Sequence, residues 1–198
     1  MKYVSKAKSK GLLAVLLAAG AVSANAALTT AGDLAFTAFN ADEDGWSMVA
    51  LKDIDANTTV YFSDNEWNGL AIGSGGAFNT GESFHQWVSG ASAINAGTVV
   101  RFSAIDNATN LAASVGVLSR ATVTGSTNYG SNQTADTVYA YLGASPTAPT
   151  TFLSAITNNG AGFNATEGLI TNTGLSLGAS AMKLSGSSDY AEYTGIRS

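Results

Sequence analysis

The chain has 198 residues, 45% hydrophobic and only 12% charged, with a net charge of −5 and no cysteine. A disulfide framework is therefore excluded, and packing, bound ions or assembly must hold the fold. So acidic a chain repels nucleic acid and anionic membranes, both of which are recognised through clustered Lys and Arg.

Residues 1–26 predict a secretory signal peptide. Lys2, Lys6, Lys8 and Lys10 make a cationic start, Gly11 to Gly20 is an apolar run too short to span a bilayer, and Ala24-Asn25-Ala26 offers a small-residue cleavage site. Cleavage leaves one domain, residues 27–198, expected to be secreted or held at the surface of a bacterium. It carries five cations (Lys52, Arg101, Arg120, Lys183, Arg197) against 14 acids, a net charge of −9. No later apolar run is long enough for a membrane span. Divalent cations are the natural partners of such a surface.

After the leader, short runs rich in β-branched and aromatic residues alternate with Gly, Asn, Asp, Ser and Thr clusters. That rhythm predicts an all-β chain: an antiparallel sandwich or barrel of about eight to ten strands. The expected strands are Asp33–Phe39, Trp46–Leu51, Thr58–Ser63, Ser83–Val88, Thr98–Ala104, Ala112–Leu118, Ala121–Thr124, Thr137–Leu142, Thr151–Ile156 and Ala179–Leu184. No later stretch holds a helical period over a full window.

One pattern occurs twice. Ile54-Asp55-Ala56-Asn57-Thr58-Thr59-Val60-Tyr61-Phe62-Ser63 matches Ile94-Asn95-Ala96-Gly97-Thr98-Val99-Val100-Arg101-Phe102-Ser103, forty residues on. Each copy reads as a turn with a corner residue that tolerates positive φ, feeding a strand. Val60/Phe62 and Val100/Phe102 fall on one face, Tyr61 and Arg101 on the other. Two copies make no solenoid; they read as two strands of one sandwich sharing an entry turn.

Several runs carry a resemblance: Gly32 to Asp42, Ser47-Met48-Val49-Ala50-Leu51, Thr59 to Trp67, Asp136 to Tyr141, Pro149-Thr150-Thr151-Phe152 and Tyr193-Thr194-Gly195. Together they resemble a module of secreted bacterial proteins similar to the lamin-tail-like β-sandwich. The resemblance implies an immunoglobulin-type fold and a binding or structural role in surface display, matrix or adhesion. Members of that group continue past a Tyr-x-Gly-x-Arg-Ser-like stretch into a further strand, some into a PEP-CTERM-type sorting tail. Ending at Ser198, the chain is expected to be a short version or a fragment with an incomplete C-terminal edge.

The acids Asp42, Asp44, Asp64 and Glu66 sit in loops beside strands and are candidate calcium ligands, since calcium takes six to eight hard oxygens. The competing reading is solvated loop acids used in Asx turns. Trp46, Trp67 and Trp87 are either core fillers or, where exposed, platforms for a sugar ring. Trp67, flanked by acids and a Gly-rich loop, is the one expected to be exposed and to bind ligand. His85, the only histidine, is expected at a surface or edge position. With no G-x-S-x-G elbow and no second zinc ligand type, it supports neither a catalytic triad nor a zinc site. Glu66, Glu82 and Asp64 leave only a residual case for paired-carboxylate hydrolysis. The expectation is therefore a non-enzymatic surface or matrix module that binds itself or cell-envelope components. The alternative is a carbohydrate-binding accessory domain that takes polysaccharide.

Overall fold

The computed structural model describes residues 27–186 and 188–195; the expected signal peptide lies outside the described residues. The chain is an all-β sandwich of two sheets. One sheet has five strands in the order β11 (Tyr190–Glu192), β1 (Leu34–Asn40), β2 (Gly45–Ala50), β5 (Val99–Ser103) and β6 (Ala112–Ala113). The other has six, in the order β10 (Ala181–Lys183), β9 (Ala148–Thr157), β8 (Thr137–Ser145), β3 (Thr59–Ser63), β4 (Phe84–Val88) and β7 (Val117–Arg120).

Alternation decides which residues meet between the sheets. Trp46 and Met48 of β2, Val60 and Phe62 of β3, and Val100 and Phe102 of β5 all point inward and are buried. In β1 the register shifts between Phe36 and Ala38, so that Phe39 turns into the core in place of Ala38. Phe102 sits at the centre of this core. Its ring lies 4.9 Å from Phe62, 5.6 Å from Trp87 and 6.0 Å from Trp46.

The repeated pattern explains why the sheets face each other in this way. Its two copies enter β3 in one sheet and β5 in the other. Asn57 and Gly97 occupy the same left-handed corner, with φ of 58° and 87°. Thr58 and Thr98 then donate back to the carbonyls of Asp55 and Asn95 at 3.3 and 3.2 Å. The two turns meet at Ile54 and Ile94, which exchange backbone hydrogen bonds of 2.8 and 2.9 Å. β3 and β5 therefore leave the same end of the sandwich and run in the same direction, one in each sheet.

The strand boundaries differ from expectation in three places. The run expected as Ala112–Leu118 breaks into β6 and β7, which belong to different sheets, so the chain crosses the side of the sandwich there. The break is at Gly116, with φ of 77°, where a Cβ would lie 2.6 Å from Trp87 Nε1 and overlap the Val88 carbonyl. No strand forms over Ala121–Thr124; Ala121 instead donates to the Phe84 carbonyl at 2.8 Å and is buried. β11 was not expected at all. The sheets are also not wholly antiparallel, because β10 runs parallel to β9. A parallel pair needs a long connection, and residues 158–180 supply it.

That connection and the 64–83 loop roof the outer face of the six-stranded sheet. They bring Trp67, Phe78, Phe163, Ile170 and Leu175 onto Tyr139, Tyr141 and Phe152, forming a second core. The outer face of the five-stranded sheet has no such roof among the described residues.

Phe102→Ala removes the ring on which three other aromatics converge, and is expected to cost about 3–5 kcal/mol of unfolding free energy. Urea denaturation of the variant beside the parent chain checks this.

Candidate functional site

Because β3 and β5 run in parallel directions on opposite sheets, their exits share one end of the sandwich, opposite the paired turns. Asp44, at the β1–β2 turn, reaches the same end: its carbonyl accepts the Ile105 N–H just past β5, at 3.0 Å. Asp64 and Glu66 follow β3, Glu82 precedes β4, and Asp136 precedes β8, so their side chains cluster here. Glu167 comes from the long connection.

Asp64 is 6% exposed, and one carboxylate oxygen accepts both the backbone N–H and the hydroxyl of Ser83, each at 2.7 Å. This clamp ties the exit of β3 to the entry of β4. Burial pushes the Asp64 carboxyl well above the ordinary carboxylate range, and the charges of Glu82 and Asp136 add to the push. Glu82 is raised to about 7, first by burial and then by Glu66, Asp136 and Glu167. Asp136 is raised to about 6, again first by burial; Glu167, Glu66 and Asp44 push the same way, and the Asn132 N–H it accepts pulls back. Burial, with Asp106 beside it, also raises Asp44, against the pull of a 2.6 Å hydrogen bond from the Ser131 N–H. Glu66 contributes an outer oxygen, Oε2, that is shielded from solvent and has no hydrogen-bond partner. The end of the sandwich is thus a set of carboxyls, drawn from five loops, that repel one another.

The four acids expected to bind calcium do not form one cage. Asp42 is exposed and lines an open cavity of about 370 Å³ with Asn128 and Ser131, whereas Asp64 is committed to Ser83. Among the described residues no three His, Cys, Asp or Glu side chains converge in an arrangement that could hold a metal ion. Asp44, Asp64 and Glu66 are linked through Asp136, which sequence reasoning passed over as a site residue along with Glu167, whereas Glu82 entered it only as a residual hydrolytic candidate. The usable signal was position: each of Asp64, Glu82 and Asp136 abuts a strand end.

Two expectations are corrected. Trp67 is not exposed; it is 1% accessible, wedged edge-on between Phe78 at 5.2 Å and Phe152 at 5.0 Å. The polar neighbours that suggested a surface place follow from β3's exit, where the chain turns back over its own sheet. A sugar cannot stack on this ring. His85 is neither at the surface nor on an edge strand: β4 lies between β3 and β7, and the side chain is fully buried. Its Nε2 is 3.2 Å from the Ile105 carbonyl, and its ring packs edge-on against Trp46 and Tyr129. Burial holds its pKa down at about 4, despite that hydrogen bond, so it is a neutral core residue at ordinary pH. Trp46 and Trp87 fill the main core, as the alternative reading of the tryptophans held. The Gly69–Gly81 loop is braced by a side chain at its base. The Asn68 side chain accepts from Leu70 and Ala77 and donates to the Gly75 carbonyl at 2.9 Å.

The unroofed face of the five-stranded sheet is the other distinctive surface. Pairing places Glu192, Ala38, Ser47 and Arg101 in one row across β11, β1, β2 and β5. A second row runs Tyr190, Asn40, Gly45. The inner strands carry small side chains and the outer ones long side chains, so the rows make a trough of about 430 Å³.

Compared with known proteins, the chain matches no family model, no curated protein and no solved structure.

The raised carboxyls fix a pH dependence. Asp136 and Glu82, raised to about 6 and 7, hold protons in the fold that the unfolded chain releases near the ordinary carboxylate range. These two groups therefore favour the fold most in mild acid and lose that contribution as pH rises through that window, while the buried His85, its pKa held down at about 4, takes back part of it as pH falls below the ordinary histidine range. Glu82→Gln is expected to raise the melting temperature at pH above 7 and to change it little in mild acid. Scanning calorimetry across the pH range checks both.

Proposed function

We propose that the chain is an exported, non-catalytic module that works by binding, at a bacterial surface or in an extracellular matrix. The observation that carries this reading is the contrast between the two sheet faces. One is roofed by long loops holding Trp67 and Phe78, and the other presents an open trough of mixed polar and apolar lining between the long side chains of Arg101 and Tyr190. Export is supported by the leader-like residues 1–26. A non-catalytic role is supported by the placement of the residues that chemistry would need. His85 is a neutral core residue, and Asp64 is held by Ser83.

Self-association remains part of this reading. β6 and β7 lie at the ends of their sheets, and an outermost strand offers backbone donors and acceptors to a further strand. Envelope or matrix components are the other partners in view. Calcium enters as a diffuse counter-ion of the acidic end rather than through a cage of Asp42, Asp44, Asp64 and Glu66. A lamin-tail-like, immunoglobulin-type relationship is kept as the family proposal for the sandwich.

The test is expression of the full chain in a Gram-negative host, followed by fractionation and mass spectrometry of the product's N-terminus. A mature protein beginning at Ala27, in the surface or extracellular fraction, is expected. A cytosolic product that keeps residues 1–26 would overturn the reading.

A further inference from the structure

We propose that Asn159 is a site of spontaneous, enzyme-free deamidation, at which the folded chain converts this asparagine to aspartate and isoaspartate in water. The reaction needs no partner, so it goes beyond the binding role and stands apart from it.

The sequence supplies two places for such chemistry. Asparagine loses its side-chain amide when the backbone nitrogen of the next residue attacks the side-chain carbon. Glycine, with no Cβ, leaves that nitrogen least hindered and most free to turn. Asn is followed by Gly only at Asn68-Gly69 and Asn159-Gly160. The fold treats the two oppositely. Asn68 is exposed, but its Nδ2 donates to the Gly75 carbonyl at 2.9 Å and its Oδ1 accepts from Leu70 and Ala77 at 3.0 and 3.3 Å. Gly69 is buried against Leu169, where an added Cβ would lie 2.7 Å from that side chain, and its carbonyl accepts from Asn172 Nδ2 at 2.8 Å. Departure of Asn68 Nδ2 and rotation of the Gly69 peptide would each break one of these bonds.

Asn159 stands where β9 gives way to the long connection. The residue before it is fixed: Asn158 is buried, accepting from the Asp136 N–H and donating to the Asn132 carbonyl, both at 2.7 Å. The turn after it is open. Gly160 and Ala161 are exposed, and a Cβ on Gly160 would meet only the Gly186 Cα, at 3.8 Å. Asn159 Nδ2 and the Gly160 N–H have no hydrogen-bond partner among the described residues. Oδ1 does have one, the Ala161 N–H at 2.9 Å. That bond draws electrons from Cγ and holds the negative charge that develops on Oδ1 as the nitrogen adds. Asn68 has the same kind of donor in Leu70. What separates the two sites is the freedom of the leaving nitrogen and of the glycine.

The step balances without an oxidant or an enzyme. The Gly160 nitrogen gives its proton to solvent and bonds to Asn159 Cγ. The Cγ–Nδ2 bond breaks, and Nδ2 takes a proton from solvent and leaves as ammonia. One water then opens the cyclic imide at either carbonyl, giving aspartate or isoaspartate. Either product adds a negative charge at the start of the roof over the second core, and isoaspartate also lengthens the main chain there by a methylene.

Timed incubation of the purified protein in mildly alkaline buffer, then trypsin digestion and tandem mass spectrometry, tests this. Cleavage after Lys52, Arg101, Arg120 and Lys183 puts Asn68 and Asn159 in separate peptides, 53–101 and 121–183. In the folded protein, 121–183 is expected to gain one mass unit at Asn159, faster as pH rises, and to become a substrate of isoaspartyl methyltransferase. Over the same period 53–101 is expected to keep its mass at Asn68. In urea, with the fold removed, both sites are expected to react alike. Gly160→Ala, made where a side chain has room, is expected to lose the mass gain. No gain at Asn159 in the folded protein, an equal gain at Asn68, a preference for Asn159 that survives in urea, or a gain undiminished in Gly160→Ala would overturn the inference.

Discussion

Phe62 and Phe102 meet at 4.9 Å across the sheet interface, and behind them Ile54 and Ile94 exchange backbone hydrogen bonds at the rim. A chain without cysteine has no covalent means of fixing one sheet against the other. Here the same ten-residue pattern, used once in each sheet, does it by packing and pairing. The turns set where β3 and β5 begin, and alternation then aims Val60, Phe62, Val100 and Phe102 into one layer. Trp46 and Trp87 close around that layer, each within 6.0 Å of the Phe102 ring.

The polarity of the molecule follows from this arrangement. Since both copies start at one end, both exits fall at the other, and the acids that follow strands or precede them collect there. Burial and mutual repulsion raise Asp64, Glu82 and Asp136 together. Part of the stability supplied by the core is thus opposed at neutral pH by the carboxyl end, and protons or cations relieve the opposition. The hydrogen bonds of Asp64 to Ser83 and of Asp136 to Asn132 keep the loops in place in spite of it.

Much of the fold was legible because strand signals are local. The alternating runs at β1 to β5, β8 and β9 and the positive-φ corners at Asn57 and Gly97 could be read residue by residue. What escaped was set by tertiary contact. Trp67 has polar neighbours in sequence, but its position depends on the 64–83 loop folding back onto Phe152. His85 lies in a strand whose edge or interior status depends on β7, a strand hidden inside a longer apolar run. The three-residue β11 pairs with β1 from more than a hundred residues away, and nothing in Tyr190-Ala191-Glu192 announces it. The acidic end was half legible. Each acid was visible in its loop, but which end of the sandwich each loop reaches is a property of the topology. The trough was not legible, because its rows join residues of four strands.

The same separation of tasks organises the functional reading. The aromatic residues that a sequence reader would place on a binding surface hold the two cores instead. In the binding role proposed above, the open trough with Arg101 and Tyr190 at its borders is the surface that remains. The account's central claim is that the paired entry turns and the Phe62–Phe102 contact hold the two sheets as one unit. Native-state hydrogen exchange tests it most directly. The Ile54 and Ile94 amides should exchange only with global unfolding, together with the core amides of β3 and β5. Exchange of the Ile54–Ile94 pair through a local opening, well before either sheet unfolds, would contradict it.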